Sequence, residues 1–188
     1  MKKAFMGVSL RNPFYSKKKN ILKAVNLAKD FDEFLIFVVD SPYELSLQAF
    51  NNLPKKEAEK IISKEGGDLK NFLIKVTKRF KFVKVSSFQK LKDEDYRNLL
   101  SEMKELSQKN TFFLDLIKKE FTGNIFSKIN NDKEKEKLCI EFILEEIALF
   151  CSLVKKGYKT RISKYSISKS IEYYLNNKNL TLNHLQIK

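Results

Sequence analysis

The run at residues 33–40, EFLIFVVD, constrains the fold more than any other stretch. Phe34, Leu35, Ile36, Phe37, Val38 and Val39 leave no polar side, and the length is that of a strand. A strand apolar on both sides has to be covered on both sides, as a parallel strand is between two helical layers. The flanking segments suit such a sheet. Residues 4–8 read as a short buried strand, and 17–29 as a helix with Ile21, Leu22, Val25 and Ala28 on one side. Residues 54–80 read as mostly helical, with Gly66-Gly67 as a break or kink, and 81–86 as a third strand. A long helix is expected over 93–121, ended by Thr122-Gly123-Asn124, and a second over 133–155, closed by Gly157. Residues 158–167 alternate like a strand, and 168–176 suit a last helix. Strands alternating with helices predict an α/β fold: a Rossmann-like, doubly wound, mostly parallel sheet flanked by helices. With no internal repeat and no linker, a single domain over 1–188 is expected.

Charge narrows the partners. Lys plus Arg number 37 against 23 acidic residues, a formal net charge of +14. That favours a polyanion, nucleic acid first and an anionic membrane surface second, with plain solvated lysine faces as the bland alternative. A hydrophobic fraction of 43%, with 16 Phe, excludes a disordered basic tail. The apolar run after Met1-Lys2-Lys3 breaks at Ser9 and Arg11, too short for a signal peptide. No segment approaches the ~20 apolar residues of a membrane span, so a cytoplasmic protein without a membrane partner is expected. Cys139 and Cys151 fall about 18 Å apart along one predicted helix, too far for a mutual disulfide. Zinc spacing is absent and His184 is the one histidine, so no metal is expected. Neither G-x-G-x-x-G nor a P-loop is present, so no nucleotide cofactor is expected either.

Three constellations remain. Ser9 falls at the end of the first strand, two residues after Gly7, where open α/β sheets place their sites. It could be an exposed nucleophile; it could equally cap the next helix, as could Asn12. The serine elbow G-x-S-x-G is missing, and one late histidine makes a Ser-His-Asp triad improbable. Such a serine needs a substrate that is already activated. Second, residues 55–92 carry twelve basic and four acidic residues, a local net of +8. Leu69, Phe72, Leu73, Val76 and Phe80 form an apolar stripe on one helix, so Lys70, Lys75, Lys78 and Arg79 point away from it, with Lys60 and Lys64 upstream. Such a face follows a phosphate backbone, or is simply solvated. Third, Phe142, Glu146, Leu149 and Leu153 share one helical face, while Glu145 groups with Glu141 and Ser152 on the polar side. An inward Glu146 needs a structural ion pair or a substrate ammonium group.

Gly7-Val8-Ser9, Asn12, Phe14-Tyr15 and Ser16, together with the later Phe142-Ile143-Leu144-Glu145-Glu146, resemble the motifs of the cyclodipeptide synthase family. Tyr96-Arg97-Asn98-Leu99 looks like the start of that family's long middle helix, so the resemblance spans residues 5–165. It implies a fold related to class I tyrosyl- and tryptophanyl-tRNA synthetase catalytic domains. It implies as partners two aminoacyl-tRNAs, joined into a 2,5-diketopiperazine without a cofactor. Carried over, Ser9 accepts the first aminoacyl group, and Glu146 holds its ammonium group and later moves protons. The amine of the second aminoacyl-tRNA attacks to leave a dipeptidyl-enzyme, and cyclisation releases Ser9. Tyr165 is the candidate proton relay, and Tyr96 matches a further tyrosine near the family's site. Gly7 leaves room at the acyl site, Asn12 shapes the pocket, and Phe142 stands where the family usually has Tyr. Lys60, Lys64, Lys70, Lys75, Lys78 and Arg79 are the tRNA-binding candidates. The alternative from another class is a non-catalytic tRNA- or RNA-binding protein of the same fold.

Overall fold

The computed structural model describes residues 1–121 and 132–188, so the expected helix stop at Thr122-Gly123-Asn124 lies outside the described residues. Its centre is a five-stranded sheet in the order β3-β2-β1-β4-β5: β1 (Lys3–Ser9), β2 (Glu33–Val39), β3 (Val83–Ser87), β4 (Thr160–Ser163) and β5 (Asn183–Gln186). Every pairing is parallel, and Gly7 lies opposite Phe37 in the β1–β2 register. The run at 33–40 is β2, second from the edge, and all of Phe34–Val39 is buried.

Strand alternation sends the two sides of β1 and β2 into two cores. Ala4, Met6, Val8, Phe34, Ile36 and Val38 pack with α1 (Lys18–Leu27) and α3 (Lys55–Thr77). Phe5, Leu35, Phe37 and Val39 pack on the other side with α5 (Glu94–Lys109), α6 (Thr111–Phe121), α7 (Lys133–Lys155) and α8 (Lys169–Asn177). Aromatic rings dominate this second core: Phe5 lies 5.3 Å and Phe37 6.4 Å from Phe150. Burying each such ring contributes roughly 1.5–3 kcal/mol.

The structure corrects several readings of the sequence. Gly66-Gly67 does not break α3, which runs unbroken through both. Gly66 is instead a contact point, since a Cβ there would sit 3.2 Å from Asp40 Cβ. The single helix expected over 93–121 is two, because Asn110 is extended and its Oδ1 accepts from Phe113 N at 2.9 Å, capping α6. A helix α2 (Ser41–Asn51) and a short α4 (Phe88–Leu91) were not anticipated. The signal for α2 was present: Asp40 accepts from Ser41 N, and Pro42 follows. Ser152 is fully buried rather than on a polar face, whereas Glu141 and Glu145 pair with Lys104 and Lys92. Strand β5 was also missed; it is four residues long and largely exposed, so it carries little hydrophobic pattern.

Candidate active site

The strand order reverses between β1 and β4, and in open α/β sheets the crevice beyond the carboxyl ends at such a switch point is where ligands bind. A cleft of about 540 Å³ occupies that position. Ser9 at the end of β1 lines it, with Asn12 and Phe14 from the following loop and Lys164 and Tyr165 from the turn after β4. Asn12 Nδ2 donates to the Tyr165 hydroxyl at 3.4 Å, joining two segments 153 residues apart.

The loop after β1 is built to hold this geometry. Asn12 Oδ1 accepts from Phe14 N at 3.0 Å, and Tyr15 N donates to the Asn12 carbonyl at 3.0 Å. With its carbonyl oxygen used on its own turn, Asn12 has its amide N–H₂ left for the cleft. Asn20 on α1 pins the loop from behind, donating to the Phe14 carbonyl at 2.7 Å. Neither Ser9 nor Asn12 caps α1, whose N-cap is Lys17 without a side-chain bond. Ser9 is half-buried, and its hydroxyl has no hydrogen-bond partner among the described residues. Arg11 adopts φ 58°, and its guanidinium grips Glu65 of α3 through Nε and Nη2 at 2.7–3.2 Å. That fork ties the loop to α3 on the far side of Ser9, where a smaller cavity also reaches the serine. Gly7 has a packing reason of its own: a Cβ there would meet the Phe37 ring at 3.2 Å and Val39 at 3.3 Å.

The α7 candidates lie apart from the cleft lining. Phe142 is half-buried against the aromatic core. Glu146 closes no hydrogen bond or ion pair among the described residues. Burial pushes its carboxyl up to about 7, against the pull of Arg161 and with a further push from Glu120. Arg161, absent from the sequence-based candidates, is therefore the cation facing it. It stands on β4 opposite Phe5, its Cζ 4.9 Å from the ring of Phe150, one turn beyond Glu146. Its Nε is buried without a hydrogen-bond partner among the described residues. The alternating run Thr160-Arg161-Ile162-Ser163 could have flagged it as a cation on a core-facing strand position. Tyr96 is buried against Phe88, ring centroids 6.0 Å apart. Among the described residues its hydroxyl closes no hydrogen bond, and burial first, then the nearby Glu145 carboxylate, raise its pKa.

The basic face of α3 and of the turn that follows it, where Lys78 and Arg79 lie, is as the periodicity predicts. Leu73 and Val76 are buried, while Lys60, Lys64, Lys75, Lys78 and Arg79 are exposed and Lys70 is half-buried. Among the described residues none of these six cations has an acidic partner. No helix among the described residues is long and apolar enough to cross a membrane, and no group of three potential metal ligands occurs among them. Both cysteines are free and buried.

A parallel α/β sheet with a serine, an asparagine and a tyrosine at its switch point thus defines the class. No family model matches the sequence, and no curated protein does. Solved structures are more specific: the chain has the fold of the cyclodipeptide synthases. It is similar to such a protein from Fluoribacter dumoffii, with a TM-score of 0.79 at 15% identity, covering 100% of this chain and 89% of that one. A Mycobacterium tuberculosis protein, described as demonstrating that cyclodipeptide synthetases are related to type I tRNA synthetases, matches with a TM-score of 0.73 at 16% identity over 97% of this chain and 83% of that one. A cyclodipeptide synthase from Candidatus Glomeribacter gigasporarum bound to Phe-tRNAPhe matches with a TM-score of 0.63 at 13% identity over 100% and 89%.

Proposed function

We propose that the protein is an aminoacyl-tRNA-dependent cyclodipeptide synthase working by ping-pong acyl transfer through Ser9. One observation carries the reading: Ser9, Asn12 and Tyr165, drawn from opposite ends of the chain, line one cleft at the switch point of a fold shared with solved cyclodipeptide synthases.

In the first half-reaction Ser9 Oγ attacks the aminoacyl ester. The C–Oγ bond forms, the bond to the tRNA ribose oxygen breaks, and the Ser9 proton passes to that oxygen. No histidine base is needed to the usual degree, because the ester is already activated. Balance of atoms then corrects the second step expected from the family resemblance. Attack by the second tRNA's amine on the Ser9 ester would leave the dipeptide on tRNA. A dipeptidyl-enzyme requires the amine of the Ser9-bound residue to attack the second aminoacyl ester, releasing the second tRNA. The new terminal amine then attacks the Ser9 ester, closing the six-membered ring and returning the proton to Oγ. Tyr165, within reach of Asn12 in the cleft, is the group to relay protons. Glu146, ionised beside a substrate ammonium, would take up and return the amine proton, a role suited to a carboxyl poised near 7. The exposed α3 cations would hold the tRNA backbone.

The test is incubation with a pool of charged tRNAs, followed by mass spectrometry. An aminoacyl mass on the peptide containing Ser9, with released cyclic dipeptide, is the expected result. Binding of tRNA with neither signal would replace this reading with a non-catalytic RNA-binding protein.

A further inference from the structure

The turn that carries Tyr165 is held by side chains of the last two strands. Three successive carbonyls each accept from a different one. Gln186 Nε2 donates to the Lys164 carbonyl at 3.1 Å, Ser163 Oγ to the Tyr165 carbonyl, and Arg161 Nη1 to the Ser166 carbonyl at 3.4 Å. Just past β5, Ile187 N also donates to the Ser163 carbonyl at 3.0 Å. Carbonyls of an exposed turn ordinarily turn to water, so a turn pinned at all three is fixed in direction.

Ser163 is only 1% exposed and has a single proton, which goes to Tyr165. Its oxygen is therefore the acceptor toward His184 Nε2 at 3.1 Å, which assigns the proton of the imidazole to Nε2. Burial first, then the Arg161 charge, lower the His184 pKa, so the ring is neutral at neutral pH and donates through that one N–H. The chain of donors runs from His184 to Ser163 to the Tyr165 carbonyl, and the Tyr165 hydroxyl then meets Asn12 beside Ser9.

We propose that His184 and Gln186 are positioning residues, fixing through Ser163 and the Lys164 carbonyl the turn that presents Tyr165 to the Ser9 cleft. Their catalytic consequence rests on the proposed function; the holding of the turn does not. A proton-relaying hydroxyl works only in place, and an error of about 1 Å can cost roughly a hundred-fold in rate.

The protein is labelled with 3-fluorotyrosine, and the Tyr165 fluorine signal is assigned by its loss in Tyr165→Phe. His184→Ala removes the donor, while His184→Gln puts an amide N–H near the place of Nε2–H. The signal is expected to move and broaden in His184→Ala and to return toward its original position in His184→Gln. Cyclic dipeptide formation should fall roughly ten-fold or more in His184→Ala with tRNA affinity unchanged. The same substitution should cost less than about two-fold when Tyr165 is already Phe, because the two act as one unit. An unmoved Tyr165 signal, no recovery in His184→Gln, or a full further loss in the Tyr165→Phe background would each overturn the proposal. Should His184→Ala not fold, Gln186→Ala, which trims an exposed side chain, must move the same signal. If the unaltered protein forms no product, the proposed function fails, and the fluorine signal alone decides the positioning.

Discussion

Helices α3 and α7 are each 23 residues long and cover opposite faces of the same sheet, yet they treat charge in opposite ways. Six residues of α3 are buried, and among the described residues Lys60, Lys64 and Lys75 stand exposed without an acidic partner. Eleven residues of α7 are buried, and its carboxylates Glu141, Glu145 and Glu146 are half-buried. Glu141 and Glu145 find lysines on neighbouring elements; Glu146, next in line, closes no ion pair among the described residues and feels the more distant charge of Arg161. An amphipathic helix can offer a long charged surface to a large polyanion. A helix packed on several sides can hold one charge at high energetic cost, in a place where a small substrate group would relieve it. Ser9 ends the strand between these two, which suits its proposed role of meeting both the carrier and its cargo.

Ser9→Ala should have the largest effect, because it removes the point where the two helices' roles join. Product should fall by roughly 10³-fold or more, with tRNA affinity unchanged, as measured by mass spectrometry and binding titration. A loss of tRNA affinity would mean that binding does not belong to α3 alone.

Glu146→Gln tests the α7 side through stability. The carboxyl ionises near 4.5 when unfolded and at about 7 in the fold, so the native state loses stability as pH rises through that window. Urea unfolding at pH 4 and pH 8 should show roughly 2–3 kcal/mol less of that loss in Glu146→Gln than in the parent. Equal pH dependence would place Glu146 in ordinary solvent and erase the contrast with α3.

On α3, the pair Lys60→Ala with Lys64→Ala should weaken tRNA binding about ten-fold at low salt and reduce the slope of log affinity against log salt by about 1–2. Ser9 acylation at saturating tRNA should be unchanged. Smallest of all, Arg11→Ala breaks the tie between the cleft loop and α3. Being largely solvent-exposed, the Arg11–Glu65 fork should contribute about 0.5–1 kcal/mol in thermal unfolding, and less in high salt.

What could be read beforehand follows the same division. The apolar stripe and exposed cations of α3 obey a 3.6-residue period, so the chain itself displays them. The buried run of β2 was equally plain, and with it the parallel sheet. Ser9 and Asn12 were legible because strand ends and turn residues have local signatures. For Arg161 only the alternating strand position was legible; that it faces Glu146 was not, since α7 and α6 bring their carboxylates near it from elsewhere in the chain. Asn110, which splits a helix, and His184, which supports a turn, act through one or two side-chain bonds each and leave no periodic trace.

The position of β1 in the sheet has a consequence for how the molecule is made. This strand leaves the ribosome well before its β4 partner, which is encoded more than 150 residues later. At about 5–20 residues per second, one edge of β1 waits on the order of ten seconds or more for its neighbour. Until then the nascent chain carries an unpaired strand edge that would invite aggregation if left uncovered. It also carries a serine without its tyrosine. A partly translated chain therefore has a candidate nucleophile but no finished cleft.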